Sequence, residues 1–415
     1  MSLVTRFRGL ARLDALVLTA TLWFLGKFLR YLFPPLFGTL GESYGVSRTV
    51  LGTAFTGFML VYAAMQFPSG ALADRFGSVR VIAVGAALAA TGALVLVVDS
   101  PFLVLAGAMA LMGGGTGMHK TVAVGLLSRT YPARTGRMLG VFDTFGTFGG
   151  VAAPAAVVMA TGLPALLGAP WRGAFLAGGL ATACLTAVFA VRVPRRIASD
   201  PWTAMPGDAT TDSDGDFGTT PSFGTYLAMF RKWEFTAFVV VTVLFGFAYN
   251  GAVAFLPLYL ASETTLSAAT ANVLFSALFV VSLVQLVTGE ASDRVGTVPV
   301  LFLTLGIATA GLVAILAVTA TGGPVVLGGA VVALGLGAHG FRPVRGAYLV
   351  TVVPDTVAGG SLGVVRTLLM GAGAIAPATV GYLSEVVGFG PAFGLLAAAL
   401  AGATGLTAIL WLVDR

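Results

Sequence analysis

Apolar stretches of roughly 18 residues or more follow one another along the chain, each bounded by charge, proline or glycine. One helix crossing a bilayer takes roughly 20 apolar residues. The pattern predicts spans near 13–37, 48–72, 79–98, 101–129, 136–161 and 172–192, then near 234–261, 267–291, 297–320, 324–351, 359–386 and 390–413. The runs are continuous and do not alternate with a period of two, which excludes a transmembrane β-barrel. The expected fold is an all-α integral membrane protein of twelve transmembrane helices, six in 1–192 and six in 233–415. Residues 193–232 join the two sets. Their acidic run from Asp208 to Asp216 is too polar to pack, so a flexible cytoplasmic linker is expected.

Composition removes the main competing classes. The chain of 415 residues is 57% hydrophobic and only 10% charged, with a mean hydropathy of +0.95. A soluble globule carries charge on about a quarter of its residues, so the lipid bilayer is the expected surroundings. The single cysteine, Cys184, gives neither a disulfide framework nor a metal site. The net charge of +6 can suggest nucleic acid, but the basic residues are scattered at the ends of apolar segments, and no nucleic-acid partner is expected.

Those basic residues orient the chain. Cytoplasmic loops hold the excess of Lys and Arg. With both termini inside, 15 of the 23 basic residues fall on the cytoplasmic side, among them Arg75, Arg80, Arg129, Arg134, Arg137, Arg192, Arg195 and Arg196. Two, Arg48 and Arg172, fall outside, and six lie within spans. The expected location is therefore the cell membrane, with both termini cytoplasmic. Arg6, Arg8 and Arg12 precede the first apolar run, but Asp14 follows and no small-residue cleavage site closes it before Pro34, so it reads as a retained span.

The two halves repeat. Gly70-Ala-Leu-Ala-Asp-Arg-Phe-Gly-Ser-Val-Arg-Val81 returns as Gly289-Glu-Ala-Ser-Asp-Arg-Val-Gly-Thr-Val-Pro-Val300, in each case between the second and third span of its half. Gly117-Met-His119 returns as Gly337-Ala-His339, and Gly140-Val-Phe-Asp-Thr144 as Gly363-Val-Val-Arg-Thr367, each followed by Ala-Pro at Pro154 and Pro377. Paired repeats of this kind mark secondary transporters. The glycines permit tight turns and close helix approach, and Asp74 and Asp293 can cap a facing helix N-terminus.

The stretch Gly70-x-Leu72-Ala73-Asp74-Arg75-x-Gly77 with Arg80 resembles the motif between the second and third helices of the major facilitator superfamily. With the twelve-span plan, the resemblance covers essentially the whole chain. It implies two pseudo-symmetric six-helix bundles and a cytoplasmic gate built from Gly70, Asp74, Arg75, Gly77 and Arg80, with Gly289, Asp293 and Arg294 in the second copy. Ser78 stands where a basic residue is common, and Pro299 follows Val298 in the second copy, which weakens the expected charge network at the gate. The resemblance also implies that helices 1, 4, 7 and 10 line a central cavity.

Charges within spans carry the functional reading, since each costs at least about 2.5–3.5 kcal/mol to insert. Lys27 and Arg30 share a face of helix 1 with Tyr31 beside them; His119 and Lys120 lie in helix 4; His339, Arg342 and Arg345 form a stripe on helix 10. Tyr249 and Asn250 on helix 7 sit opposite Lys27 by the repeat. Two of the three lysines are intramembrane. Against these cations stands one deep acid, Asp143, whose repeat counterpart is Arg366. A cleft with uncompensated cations attracts anions, so the expected substrate is a small organic anion, with protons as the co-transported ion and Asp143 or His119 as carrier. Anion exchange is the alternative. Other roles stay open residue by residue: snorkelling for Lys27, Arg30, Arg342 and Arg345, core hydrogen bonding for the histidines, and an Asp143–Arg366 gate pair.

Helix 5 carries Gly146-Thr-Phe-Gly149-Gly150 and Pro154, loosely similar to the glycine-rich motif of drug antiporters in the superfamily, but without the proline expected after the first glycine. Close helix packing is the reading preferred, with export of amphipathic compounds as the competing function. The 29 phenylalanines suit either a binding cavity or the lipid face. No Walker loop and no Ser-His-Asp or metal-ligand pattern is present, so neither a cofactor nor an enzymatic reaction is expected. The protein is expected to be a monomer.

Overall fold

A computed structural model of the chain describes residues 13–162, 164, 167–198, 230–352 and 358–413, with the side chains of 196–198 and 350–366 left aside. The N-terminal arginines, the linker over 199–229 and its acidic run lie outside the described residues. Twelve helices among those described are long and apolar enough to cross a membrane. The first six are α1 (Asp14–Tyr44), α2 (Arg48–Phe76), α3 (Ser78–Val95), α4 (Phe102–Thr130), α5 (Thr135–Thr161) and α6 (Arg172–Ala198). The second six are α7 (Trp233–Glu263), α8 (Ala268–Val295), α9 (Thr297–Ala317), α10 (Pro324–Val352), α11 (Ala358–Val386) and α12 (Phe389–Val413).

The boundaries differ from the sequence expectation by more than four residues in two places. Helix α1 runs past residue 37 to Tyr44, as two segments, Asp14–Tyr31 and Phe33–Tyr44, interrupted at Leu32. Pro34 and Pro35 lie in the first turn of the second segment, where a missing N–H leaves no helical bond unmade within that segment. Helix α6 continues past 192 to Ala198, into the stretch expected to be linker.

Contacts group the chain into two units, one of Met1–Leu32 with Gly57–Phe217 and one of Phe33–Thr56 with Gly218–Arg415. In the first unit α1 packs along α5 and α6, and α3 packs along α4 and α6. In the second, α7 packs along α11 and α12, and α9 along α10 and α12. The repeat in sequence is thus a repeat in packing. Small residues make these crossings possible. A Cβ at Gly117 of α4 would meet the Tyr62 carbonyl of α2. At the corresponding Gly337 of α10 it would meet the Thr304 carbonyl and lie 2.7 Å from the Ala308 Cα of α9.

The second unit also holds the segment Phe33–Thr56. The Phe37 ring stands edge-on to Phe255, 5.1 Å between centroids. The Arg48 guanidinium lies 4.5 Å over Phe389 and donates to the Ser384 carbonyl at 3.3 Å. Thr49 donates to the Glu385 carboxylate, and the Ala378 N–H donates to the Thr56 hydroxyl at 3.1 Å. Gly52 lies directly against the Pro377 carbonyl.

The second glycine of each motif copy does the same work. Gly77, before α3, has φ +87°, and Gly296, before α9, has φ +94°. A side chain there is strained by about 1–3 kcal/mol. Gly77→Ala and Gly296→Ala are each expected to lower the thermal unfolding temperature in detergent; a variant as stable as the wild type would contradict the assignment. The first glycines differ from expectation. A Cβ at Gly70 or Gly289 meets nothing within 4 Å, so neither marks a close helix approach.

Candidate functional site

The two intramembrane lysines of the first unit gather around one indole. Lys27 and Trp23 are four residues apart on α1, and the Lys27 ammonium lies 5.1 Å over the Trp23 ring. The Lys120 ammonium, from α4, lies 5.4 Å over the same ring and 5.1 Å over Phe142 of α5. Such contacts contribute roughly 0.5–2 kcal/mol each, more as water is excluded. Trp23 also stacks on His119 at 5.8 Å and on Phe142 at 5.7 Å. Trp23, His119 and Phe142 are buried, so this stack is a fixed floor beneath the two lysines.

Glycines of α5 bring these helices together. A Cβ at Gly146 would collide with the Trp23 indole, and one at Gly149 would meet the Phe24 carbonyl, the Phe28 nitrogen at 2.8 Å and the Lys27 Cβ at 2.9 Å. The face Phe142, Gly146, Gly149 therefore seats the α1 backbone and sets Asp143 next to Lys120. The helix 5 glycines serve packing here.

Asp143 pairs with Lys120. The pair stands at the rim of the cluster, with the acid 59% and the lysine 21% exposed. The side chain of Arg366, the partner suggested by the repeat, lies outside the described residues. His119 is buried, and its Nε2 donates to the Thr19 carbonyl at 3.1 Å. A carbonyl only accepts, so the ring carries its proton on Nε2. His119 ties α4 to α1.

Arg30 does not reach the rim. It is buried, with its guanidinium 5.5 Å from Tyr31, 6.0 Å from Phe58 and 5.5 Å from Tyr62. Tyr31 connects the two environments, since Lys27 also lies 5.5 Å over its ring.

The second unit repeats the arrangement in part. The Arg342 guanidinium lies 4.6 Å over Tyr249 of α7. Tyr249 stacks on Phe245 at 5.8 Å and meets the fully buried His339 edge-on at 6.0 Å. In each unit an aromatic side chain of the first full helix thus lies between a buried histidine and a cation of the fourth. Among the described residues no acid pairs with Arg342. Asn250 donates to the Gly246 carbonyl of its own helix at 2.9 Å and occupies the space that Gly373 leaves. Arg345, about one turn beyond Arg342 on α10, is half-buried.

At the motif between α2 and α3, Asp74, Arg75 and Arg80 are exposed, and the Asp74 and Asp293 carboxylates make no hydrogen bond among the described residues. Arg75 lies over Phe76 at 5.2 Å, and Arg294 pairs with Glu290 one turn earlier. Arg129 of α4 donates to the Ser78 hydroxyl at 2.7 Å. The residue that departs from the family pattern is thereby tied to a basic side chain. A cavity of about 1060 Å³ opens beside it, lined by Asp74, Ser78, Arg80, Arg129 and Pro194 among others.

Sequence reading missed Trp23, Phe142 and Thr19. The four-residue spacing of Trp23 and Lys27 was a usable signal for the first. The other two depend on how α4 and α5 are rotated against α1.

Comparison with known proteins places the chain. The Major Facilitator Superfamily family model matches residues 19–341 and, in a second match, 238–415. Over 167 residues the chain is 29% identical to the 2-nitroimidazole transporter of Escherichia coli K12, covering 39% of this chain and 41% of that protein. Over 150 residues it is 27% identical to the "Probable sulfoacetate transporter SauU" of Cupriavidus necator, covering 36% of this chain and 34% of that protein. The matches thus span less than half the length of these curated relatives. In three dimensions the chain is similar to a bacterial homolog of the human lysosomal transporter Spinster in an inward-facing, occupied conformation, with a TM-score of 0.74 over 96% of each chain and 16% identity, a likeness of fold. By the family match, the repeated motif and the twelve-helix fold, the chain belongs to the major facilitator superfamily.

Proposed function

We propose that this protein is a secondary transporter that moves a small organic anion, a carboxylate or a sulfonate, across the cytoplasmic membrane by alternating access, with a proton as the co-transported ion. The observation that carries the reading is the meeting of Lys27 and Lys120 over the Trp23 indole with Asp143 as the acid paired there. Arg342 over Tyr249 supports it from the second unit. Lys27 and Lys120 bring two positive charges to the cluster, which draws an anion. The name of the Cupriavidus relative, "Probable sulfoacetate transporter SauU", is consistent with that substrate class.

Both termini are cytoplasmic in this reading, the protein works as a monomer, and the exposed residues of the α2–α3 and α8–α9 motifs form the cytoplasmic gate. Asp143 carries the proton, because it is exposed at the rim, whereas His119 is buried and committed to the Thr19 carbonyl. In proteoliposomes an inward proton gradient is expected to drive sulfoacetate accumulation by the wild type, and Asp143→Asn is expected to remove that stimulation. Accumulation by Asp143→Asn that still responds to the gradient would move the proton to another group; indifference of the wild type would point to anion exchange. Export of an amphipathic compound is the second reading; the name of the Escherichia coli relative, a 2-nitroimidazole transporter, favours a heteroaromatic substrate and is silent on direction.

A further inference from the structure

Resting on the anion reading above, we propose that the Asp143 carboxylate is a built-in competitor for the substrate's anionic group: it holds the Lys120 ammonium, and a carboxylate or sulfonate enters by displacing it.

Several features of the pair fit an exchange better than a permanent structural tie. It lies at the rim, and the acid is the more exposed member at 59%. An exposed ion pair is worth little, about 0–1 kcal/mol, so replacing one carboxylate with another anion costs little. The ammonium itself stays in place when the acid leaves, because Trp23 and Phe142 flank it at 5.4 and 5.1 Å and both rings are buried. The aromatic floor holds the cation, and the acid only covers it. Lys27 over the same indole adds a second positive charge to the field that an entering anion meets. Arg30, enclosed by Tyr31, Phe58 and Tyr62, is not open to such an exchange.

The residue type narrows the ligand. An ammonium is a compact point charge with three rotatable donors, whereas a guanidinium offers a planar fork that suits a carboxylate edge-on. A site built on Lys120 therefore accepts a tetrahedral sulfonate as readily as a planar carboxylate.

The test uses the purified full-length protein and the variants Asp143→Asn, Lys120→Gln and the double variant. With sulfoacetate as the probe, Asp143→Asn is expected to bind up to about fivefold more tightly than the wild type. Lys120→Gln is expected to bind more weakly, and adding Asp143→Asn to it should change nothing further. Unchanged or weaker binding by Asp143→Asn, with wild-type binding present, overturns the proposal and makes the pair a plain charge compensation. A second measurement does not require sulfoacetate to be a ligand. The amine reagent 2,4,6-trinitrobenzenesulfonate is itself a sulfonate, and its labelling of Lys120 can be read by peptide mass spectrometry relative to the exposed Lys232. Labelling of Lys120 is expected to rise several-fold in Asp143→Asn; equal labelling in the two proteins overturns the proposal. Sulfoacetate binding by none of the variants, together with increased labelling, upholds the displacement and removes sulfoacetate from the substrate reading.

Discussion

Lys27→Ala is expected to abolish anion transport while leaving a folded, membrane-inserted protein, and Arg342→Ala is expected to do the same. Each change deletes a cation that lies over an aromatic ring, Trp23 for Lys27 and Tyr249 for Arg342. Removing one partner of a charge-assisted contact costs about 2–5 kcal/mol of binding, a loss of at least about thirtyfold in affinity. The fold should survive, because the stacks beneath the cations are made by other residues. Trp23, His119 and Phe142 remain buried against one another in the first unit, as do Phe245, Tyr249 and His339 in the second. Uptake in proteoliposomes, with circular dichroism and gel filtration as controls for folding, checks the expectation. Normal uptake by both variants would show that these cations do not bind the substrate.

A large effect on stability is expected from Gly149→Ala. The added methyl meets the Phe24 carbonyl and comes within 2.8 Å of the Phe28 nitrogen, both main-chain atoms that cannot rotate away. Overpacking of this kind costs about 1–3 kcal/mol, and relief requires α5 to move off α1, which carries Asp143 and Phe142 away from Lys120 and Trp23. The variant should therefore lose thermal stability and anion binding together. Gly140→Ala is the matched control, because nothing lies within 4 Å of a Cβ there and alanine favours a helix by about 1 kcal/mol over glycine. It should be neutral or stabilising. If Gly149→Ala were as stable as Gly140→Ala, the close approach of α1 and α5 would be wrong.

The twelve helices and the repeat were legible in the sequence because insertion in a bilayer demands long apolar runs and because the motif copies keep order and spacing. The turn glycines Gly77 and Gly296 were legible for the same reason, and both adopt positive φ. The break at Leu32 was less visible, because Pro34 and Pro35 act on a turn whose flanks are equally apolar. The intramembrane cations could be named from charge alone, but their partners could not. Whether Lys120 meets Asp143 depends on the rotation of α4 and α5, which the glycine contacts of Gly146 and Gly149 with α1 help to fix. Repeat symmetry relates Asp143 to Arg366, whose side chain lies outside the described residues, and it is silent on which faces meet. Arg30 and Lys27 look equivalent in sequence, three residues apart, yet one is enclosed by aromatic rings and the other is half-buried beside the rim.

Thermal unfolding of the purified protein against sulfoacetate, short carboxylates and lipophilic cations most directly tests the claim that the lysine cluster recognises an anion, since a ligand that binds the folded state raises apparent stability by mass action. The account predicts stabilisation by a sulfonate or carboxylate that disappears in Lys27→Ala. Stabilisation by lipophilic cations alone would contradict it and turn the buried cations into gate or packing residues.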